Sequence, residues 1–548
     1  MVDDFSFGPD ADTAVAAVRA ERSGVFHGSR RAPRDPLPGE PVALELSVGP
    51  ACSAETAWLE WSAGGEPERG RRTAMEPAGV EWDEIAGGYV RMFRVTLPGE
   101  PDGTIVRYRV GAGDDETADG GAVFAYPVDE HTPPAWSRDA IVYHVFADRF
   151  AGDVGSDDFG TGTLEGIAER LDYVADLGFN VLWLSPIFPS PTYQGYDATD
   201  LFSIAPRLGT IDDFRELLDA AHGHGIRVLL DFVPNHWSNQ HPTFVDATTD
   251  ADSRYRDWYV FRHWPGEYES FLNSAPTLPK INLRHAPARA HVLEAAAYWL
   301  ELGVDGYRVD HTIGPSPAFW ADFRRATRSA KPDCWTFGEA MAAPEVQLTF
   351  DGLLDGSLDF ALCAMLRATF ATGARDCLAL ASFLDRHEDF FPPSFSRPSF
   401  LDNHDMNRFL FRAGGDQRRL RLAALCQFTL AGPPIVYYGT EAGLSQDQDI
   451  REAGWGGDRE ARRPMLWDDD QDAELVAFYR ALIRLRSEEP ALRNAPRRRL
   501  SASPTALSYA RDDLVVTLDL DNLSGAVLRD GEPIFSTDLA TERIPWQR

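Results

Sequence analysis

Two hydrophobic periods divide the chain. From about Pro41 to Tyr126 apolar residues alternate with polar ones, as in Val42-Ala-Leu-Glu-Leu-Ser-Val48, Val90-Arg-Met-Phe-Arg-Val95 and Ile105-Val-Arg-Tyr-Arg-Val110. A period of two puts every second side chain on one face of a strand. Gly- and Pro-rich turns separate these runs, so the stretch predicts a small antiparallel β-sandwich. Thr132-Pro-Pro-Ala135 marks its end. Short apolar runs then alternate with helical stripes. Ile141–Phe146 reads as a strand, and Leu164, Ile167, Leu171, Val174 and Leu177 share one face of a helix that Gly178 closes. Strands follow at Val181–Leu184 and Val228–Leu230, separated by the stripe Phe214, Leu217, Leu218 and Ala221. Further strands fall at Val304–Asp310, Trp335–Glu339, Phe400–Asp405 and Ile435–Tyr438. This alternation predicts the α/β class and a (β/α)8 TIM barrel.

The rhythm lapses at about 237–285 into an aromatic, irregular insertion after the third barrel strand, containing Trp258, Tyr259, Phe261, Trp264 and Tyr268. Long irregular segments at that end of a barrel shape the pocket. After a final helix near Ala473–Arg486, alternation returns in Leu514-Val-Val-Thr-Leu518. The expected partition is a tail over 1–24 with a short helix near Ala11–Arg22, a β-sandwich over 25–132, the barrel over 133–496 and a small C-terminal β-domain over 497–548.

Composition narrows the partners. The 548 residues carry a formal net charge of −32, which opposes binding to nucleic acid or an anionic membrane, since both attract basic surfaces. Lys280 and Lys331 are the sole lysines; arginine supplies the other cations. An acidic, lysine-poor surface fits either a salt-tolerant interior or a codon bias. No apolar run approaches the ~18 residues of a membrane helix, and the acidic start Met-Val-Asp-Asp-Phe-Ser lacks the pattern of a secretory signal. A cytoplasmic location is expected. Five scattered cysteines (Cys52, Cys334, Cys363, Cys377, Cys426) show neither metal nor redox spacing and read as small buried apolar residues.

The candidate chemistry lies where strands end in acids: Val228-Leu-Leu-Asp-Phe-Val-Pro-Asn-His236, Gly306-Tyr-Arg-Val-Asp310, Trp335-Thr-Phe-Gly-Glu339 and Phe400-Leu-Asp-Asn-His-Asp405. The C-terminal strand ends of a barrel converge on one face, so these acids can share one pocket. Acetal cleavage requires a carboxylate to attack and a carboxylic acid to protonate the leaving oxygen. Arg308 stands two residues before Asp310 and faces the same way, where its charge would favour the ionised carboxylate.

These segments and their order resemble the α-amylase family of glycoside hydrolases over roughly Trp136 to Arg486. Gly178-Phe-Asn-Val-Leu-Trp-Leu-Ser-Pro186, Gly195-Tyr-Asp197, Leu278-Pro-Lys-Ile-Asn282, Tyr437-Tyr-Gly-Thr-Glu441 and Arg462-Arg-Pro-Met-Leu-Trp467 add to the likeness. The resemblance implies Asp310 as nucleophile, Glu339 as general acid/base and Asp405 as the third acid, facing the positive charge that develops on the sugar. It implies substrate binding by Tyr196, Asp197, His236, Arg308 and His404, with structural support from Asp231 and Asn235.

The N-terminal β-domain and Leu278–Asn282 look most similar to the neopullulanase and cyclomaltodextrinase branch. That branch implies an α-glucan oligosaccharide substrate with α-1,4 links and a homodimer formed through the N-terminal domain. A transglycosylase of the same family, or a non-catalytic glucan-binding scaffold, shares much of this pattern. The His-Thr-Ile-Gly that follows Asp310 departs from the family's usual residues on the leaving-group side, and Gln194 stands where the family often has His. No cofactor is required for the chemistry. Asp153, Asp157 and Asp158 resemble a calcium loop of the branch, although its usual asparagine is absent.

Overall fold

The computed structural model describes residues 11–154, 159–453 and 457–538. A helix, Ala11–Ser23, precedes nine antiparallel strands. The long strand Arg71–Asp83 joins the two halves of this sheet: it pairs with Ala57–Ala63 through Met75 and with Gly88–Leu97 from Glu76 onward. Their inner faces enclose one core that includes Leu44, Leu46, Leu59, Phe93, Tyr108 and Tyr126. These are the alternate positions the period of two selects.

Eight parallel strands form the central sheet. In chain order they are Val142–Val145, Val181–Leu184, Arg227–Phe232, Gly306–Val309, Trp335–Gly338, Gly356–Ser357, Ser399–Phe400 and Pro434–Tyr437. The first strand pairs with both the second and the eighth. The sixth and seventh approach through a parallel bridge between Gly356 and Ser396, which curls the sheet into a barrel. Alternation along each strand decides what faces inward. Val142, Val181, Leu229, Trp335 and Ile435 fill the interior, while Tyr143, Leu182, Leu230 and Val309 pack against the surrounding helices. Gly306 is required at the start of the fourth strand, because a Cβ there would lie 2.0 Å from the Trp335 carbonyl oxygen.

Several local expectations change. The helix after the first strand is two helices, Leu164–Glu169 and Leu171–Leu177, broken at Arg170. The insertion carries regular structure: a helix, Pro242–Thr249, and two small ribbons, Phe261–His263 with Glu267–Tyr268 and Ser270–Phe271 with Ala275–Pro279. The seventh strand is two residues long, so Asp405 lies on the loop beyond it. Five antiparallel strands from Arg497 to Ser536 close the described chain.

Candidate active site

Inward-facing positions of the first five strands build the floor. His144, Trp183, Asp231, Arg308 and Phe337 each fall on the inner face, and Asp231 sits level with Arg308, which in turn sits level with Phe337. Val309 is paired with Gly338, so the next residues, Asp310 and Glu339, emerge side by side at the C-terminal rim. The Glu339 amide donates to the Val309 carbonyl at 2.8 Å and fixes that step.

Arg308 organises the centre. Its Nη1 donates to Asp231 Oδ1 at 2.8 Å and to Asp310 Oδ1 at 3.0 Å, and its Nη2 lies 2.5 Å from Glu339 Oε1. The guanidinium is fully buried, whereas the Glu339 side chain keeps 12% of its surface exposed. One fixed cation therefore touches three carboxylates delivered by three adjacent strands. Asp231 also accepts from Trp183 Nε1 at 3.3 Å and from the Tyr196 hydroxyl at 2.9 Å, which makes it the brace between floor and rim.

Asp405 enters from the opposite side. His404 Nε2 lies 2.9 Å from Asp405 Oδ2 and 2.7 Å from the Tyr196 hydroxyl. The Tyr196 and His404 rings are nearly parallel, 7° apart. Arg462 completes the cage: its Nη2 donates to Asp405 Oδ1 at 2.7 Å and its Nε to the His404 carbonyl at 2.8 Å. Arg462 Nη1 pairs with Asp458 Oδ2 at 2.6 Å, and Gln194 and Tyr193 donate to the same oxygen. Gln194 thus occupies the place of the family's usual His with a contact of its own. Arg462 and Asp458 were not singled out as site residues in the sequence; the Arg-Arg-Pro segment is the signal that points to them.

The other candidates are placed differently. His236 is buried beside Asn235, whose Nδ2 lies 3.1 Å from His236 Nδ1, and its ring packs 4.7 Å from Phe271 of the second insertion ribbon. Asp197 is buried and its Oδ1 accepts from Ser190 and from Thr192 Oγ1 at 2.6 Å, tying down the loop that carries Tyr196. Asp153 is exposed, with its backbone bonded to Thr161. Asp157 and Asp158 lie outside the described residues. Among the described residues no group of three His, Cys, Asp or Glu side chains is arranged to hold a metal ion.

The charges divide the acids into two kinds. Burial raises Asp310 well above the carboxylate range; Glu339 adds to the rise, and Arg308 opposes it without reversing it. The expectation that Arg308 keeps Asp310 ionised is therefore incomplete, because it omitted desolvation and the second acid. Burial also raises Glu339, against Arg308 and with Asp405. Burial works to raise Asp405 too, but His404, Arg462 and Arg308 outweigh it and hold that carboxyl below its ordinary range. Two neighbouring acids with raised pKa can share one proton while a third stays anionic. Such a set can attack an acetal carbon, protonate its leaving oxygen and face the developing cation.

Comparison with known proteins places the chain in a family. The family model "Alpha amylase, catalytic domain" matches residues 144–480, more than half of the chain. Alpha-amylase 2 of Dictyoglomus thermophilum is 42% identical over 375 residues, 67% of this chain and 66% of that protein. A cyclomaltodextrinase of a Bacillus species is 36% identical over 71% of this chain and 73% of its own. Neopullulanase 2 of Thermoactinomyces vulgaris is 33% identical over 69% of this chain and 68% of its own. The chain thus spans about two thirds of the length of these curated relatives. A solved cyclomaltodextrinase superposes with a TM-score of 0.66 at 28% identity, covering 90% of both chains.

Proposed function

The chain belongs to the alpha-amylase family, and on that premise we propose that it is a retaining α-glucan hydrolase. Its substrates are maltooligosaccharides, cyclomaltodextrins or related short glucans, cleaved at α-1,4 links. Relatives named cyclomaltodextrinase, neopullulanase and intracellular maltogenic amylase support that substrate class. The observation that carries the reading is the single buried guanidinium of Arg308 in contact with both Asp310 and Glu339.

In the proposed cycle a carboxylate oxygen of Asp310 attacks the anomeric carbon as its bond to the departing oxygen breaks. Glu339 gives its proton to that oxygen. Glu339, now a carboxylate, takes a proton from water; the water oxygen bonds the anomeric carbon, and the ester to Asp310 breaks with its electrons returning to the carboxylate. Asp405, kept anionic by its cage, faces the charge on the ring in both steps. Tyr196 offers a face for the sugar, and His404, His236 and Arg308 bind or orient its polar groups, with Asp231, Asn235 and Asp197 as support. These steps need no cofactor. No helix among the described residues is long and apolar enough to cross a membrane, and an intracellular site of action, with a homodimer formed through the N-terminal domain, belongs to the same proposal.

The test incubates purified protein with maltotriose, a cyclic maltodextrin, pullulan and soluble starch in parallel. Release of shorter sugars as the α-anomer supports the reading. Release of the β-anomer, or no cleavage of any of the four, sinks it.

A further inference from the structure

One residue beyond Asp310 the chain turns against its own preference. His311 has a φ of +43°, in the left-handed region that a residue with a Cβ enters only at a cost. Such strain persists where the surroundings impose it, and it gathers at functional sites. Here the turn brings two donors to one acid. The His311 amide donates to Glu339 Oε2 at 3.2 Å, and the next amide, that of Thr312, donates to the Glu339 carbonyl at 3.1 Å. Successive amides in a turn of this kind form a concave donor for a negatively charged oxygen.

The His311 ring has its own anchors. It packs against Phe271 with centroids 4.7 Å apart and planes at 74°. Phe271 belongs to the second insertion ribbon and packs on His236 as well. The ring also covers Gly314, where a Cβ would lie 2.6 Å from His311 Cδ2 and 2.2 Å from Asn235 Oδ1. The Gly314 amide closes the turn by donating to the His311 carbonyl at 3.0 Å. Histidine and glycine in His311-Thr-Ile-Gly314 are thus parts of one packed unit, in the stretch that departs from the family's usual residues.

We propose that His311 is a positioning residue for the acid/base: its ring, clamped by Phe271, keeps the left-handed turn that presents its main-chain amide to Glu339. This rests on the reading of Glu339 as proton donor and adds that the insertion sets the pH at which that proton leaves. The amide bond favours the ionised carboxyl. It works against burial, Asp405, Asp231 and Asp310 and alongside Arg308 and His404, the charged groups that face Glu339. The imidazole adds no charge near neutral pH, because burial, with Lys280 and Arg308, pulls its pKa down to about 4.

The test separates main chain from imidazole in the full chain. His311→Ala removes the ring but keeps a Cβ, so the turn loses its anchor and should relax. His311→Gly removes the same ring yet adopts a positive φ freely. Two quantities are read: the pH profile of kcat/KM on maltotriose, and the titration of the Glu339 carboxyl by its infrared band, assigned by difference from Glu339→Gln. The alanine variant should lose about tenfold at the optimum and move both the alkaline limb and the infrared titration up by about one unit, the loss of one hydrogen bond to a charged group. The glycine variant should recover most of the turnover and return both titrations to the parent's position. Phe271→Ala should behave as His311→Ala, and adding His311→Gly to it should restore the limb. Equal shifts in the alanine and glycine variants assign the effect to the imidazole and overturn the proposal. Unmoved titrations in the alanine variant also overturn it, whatever its turnover or melting temperature, and leave the contact purely structural. If the parent cleaves no sugar, the catalytic reading fails, yet the infrared titration still decides whether the turn acts on Glu339.

Discussion

Arg462 donates to Asp405 at 2.7 Å across 57 residues of chain. The pair couples the segment after the eighth strand to the loop after the seventh, and it holds Asp405 anionic against the burial that works to protonate it. Arg462→Met should therefore act on protonation as well as on fold. A carboxyl held low contributes stability above its unfolded pKa and loses it as pH falls through the folded value. Without Arg462 that window moves up, so the acid limb of the pH–rate profile should shift to higher pH. Turnover near neutral pH should fall roughly 100-fold, as when a preorganised charge contact is removed, and stability by about 3–5 kcal/mol, because Asp458 and Asp405 lose a buried partner. A variant that melts earlier but keeps its acid limb in place would reduce Arg462 to a structural tie.

Asp310→Asn separates chemistry from stability. Activity should drop roughly 10⁴-fold or more on every substrate, since the amide cannot form the glycosyl ester. The sign for stability is opposite. Burial and Glu339 raise the folded pKa of Asp310, so between its unfolded and folded values the native state holds a proton that the unfolded chain has released. Stability falls as pH rises through that window. The variant should therefore melt higher than the parent at neutral pH, and the gap should shrink toward pH 4. Parallel melting curves at pH 4, 5.5 and 7 check this; a variant that melts lower at pH 7 contradicts it.

Strand periodicity and terminal acids were enough to place Asp231, Arg308, Asp310 and Glu339, because each lies within two residues of a regular strand whose inner face the alternation identifies. What sequence could not supply depended on packing between distant segments. The sixth strand, Gly356–Ser357, is too short for any period to register. The insertion's helix opens on His241 as cap and Pro242 at its first turn, signals hidden among aromatic residues that looked like loop. Arg462 falls in a segment that resembles the family, yet its contacts with Asp405 and Asp458 exist only once two loops meet. Asp405 was expected to end the seventh strand and instead lies on the loop beyond it, and its low pKa depends on that same meeting.

Chelation should leave turnover intact. The proposed attack, proton transfer and charge stabilisation all come from carboxylates, guanidinium groups and imidazole. Dialysis against EDTA is expected to change kcat by less than about twofold, and added calcium to act, where it acts at all, on melting temperature through the loop that carries Asp153. A chelated enzyme that loses turnover at unchanged melting temperature would place a metal in the chemistry and refute this scheme.

Glu339→Gln tests the proton donor by the quality of the leaving group. Glu339 lies 2.5 Å from Arg308 Nη2 and accepts from the His311 amide at 3.2 Å, so a glutamine can keep most of these contacts without an acidic proton. Protonation matters most when the departing oxygen is a sugar hydroxyl and little when the leaving group is fluoride. The variant should lose roughly 10³-fold or more on maltotriose while its glycosylation step with α-glucosyl fluoride stays close to the parent's. The pH profile supplies the second readout. Burial raises Glu339, so the parent's alkaline limb should mark the loss of its proton, and that limb should vanish in the glutamine variant. His236 does not confound the assignment, because burial pulls its pKa down to about 3 and leaves it neutral across the working range. Equal losses on both substrates, with the alkaline limb still in place, would show that Glu339 is not the acid.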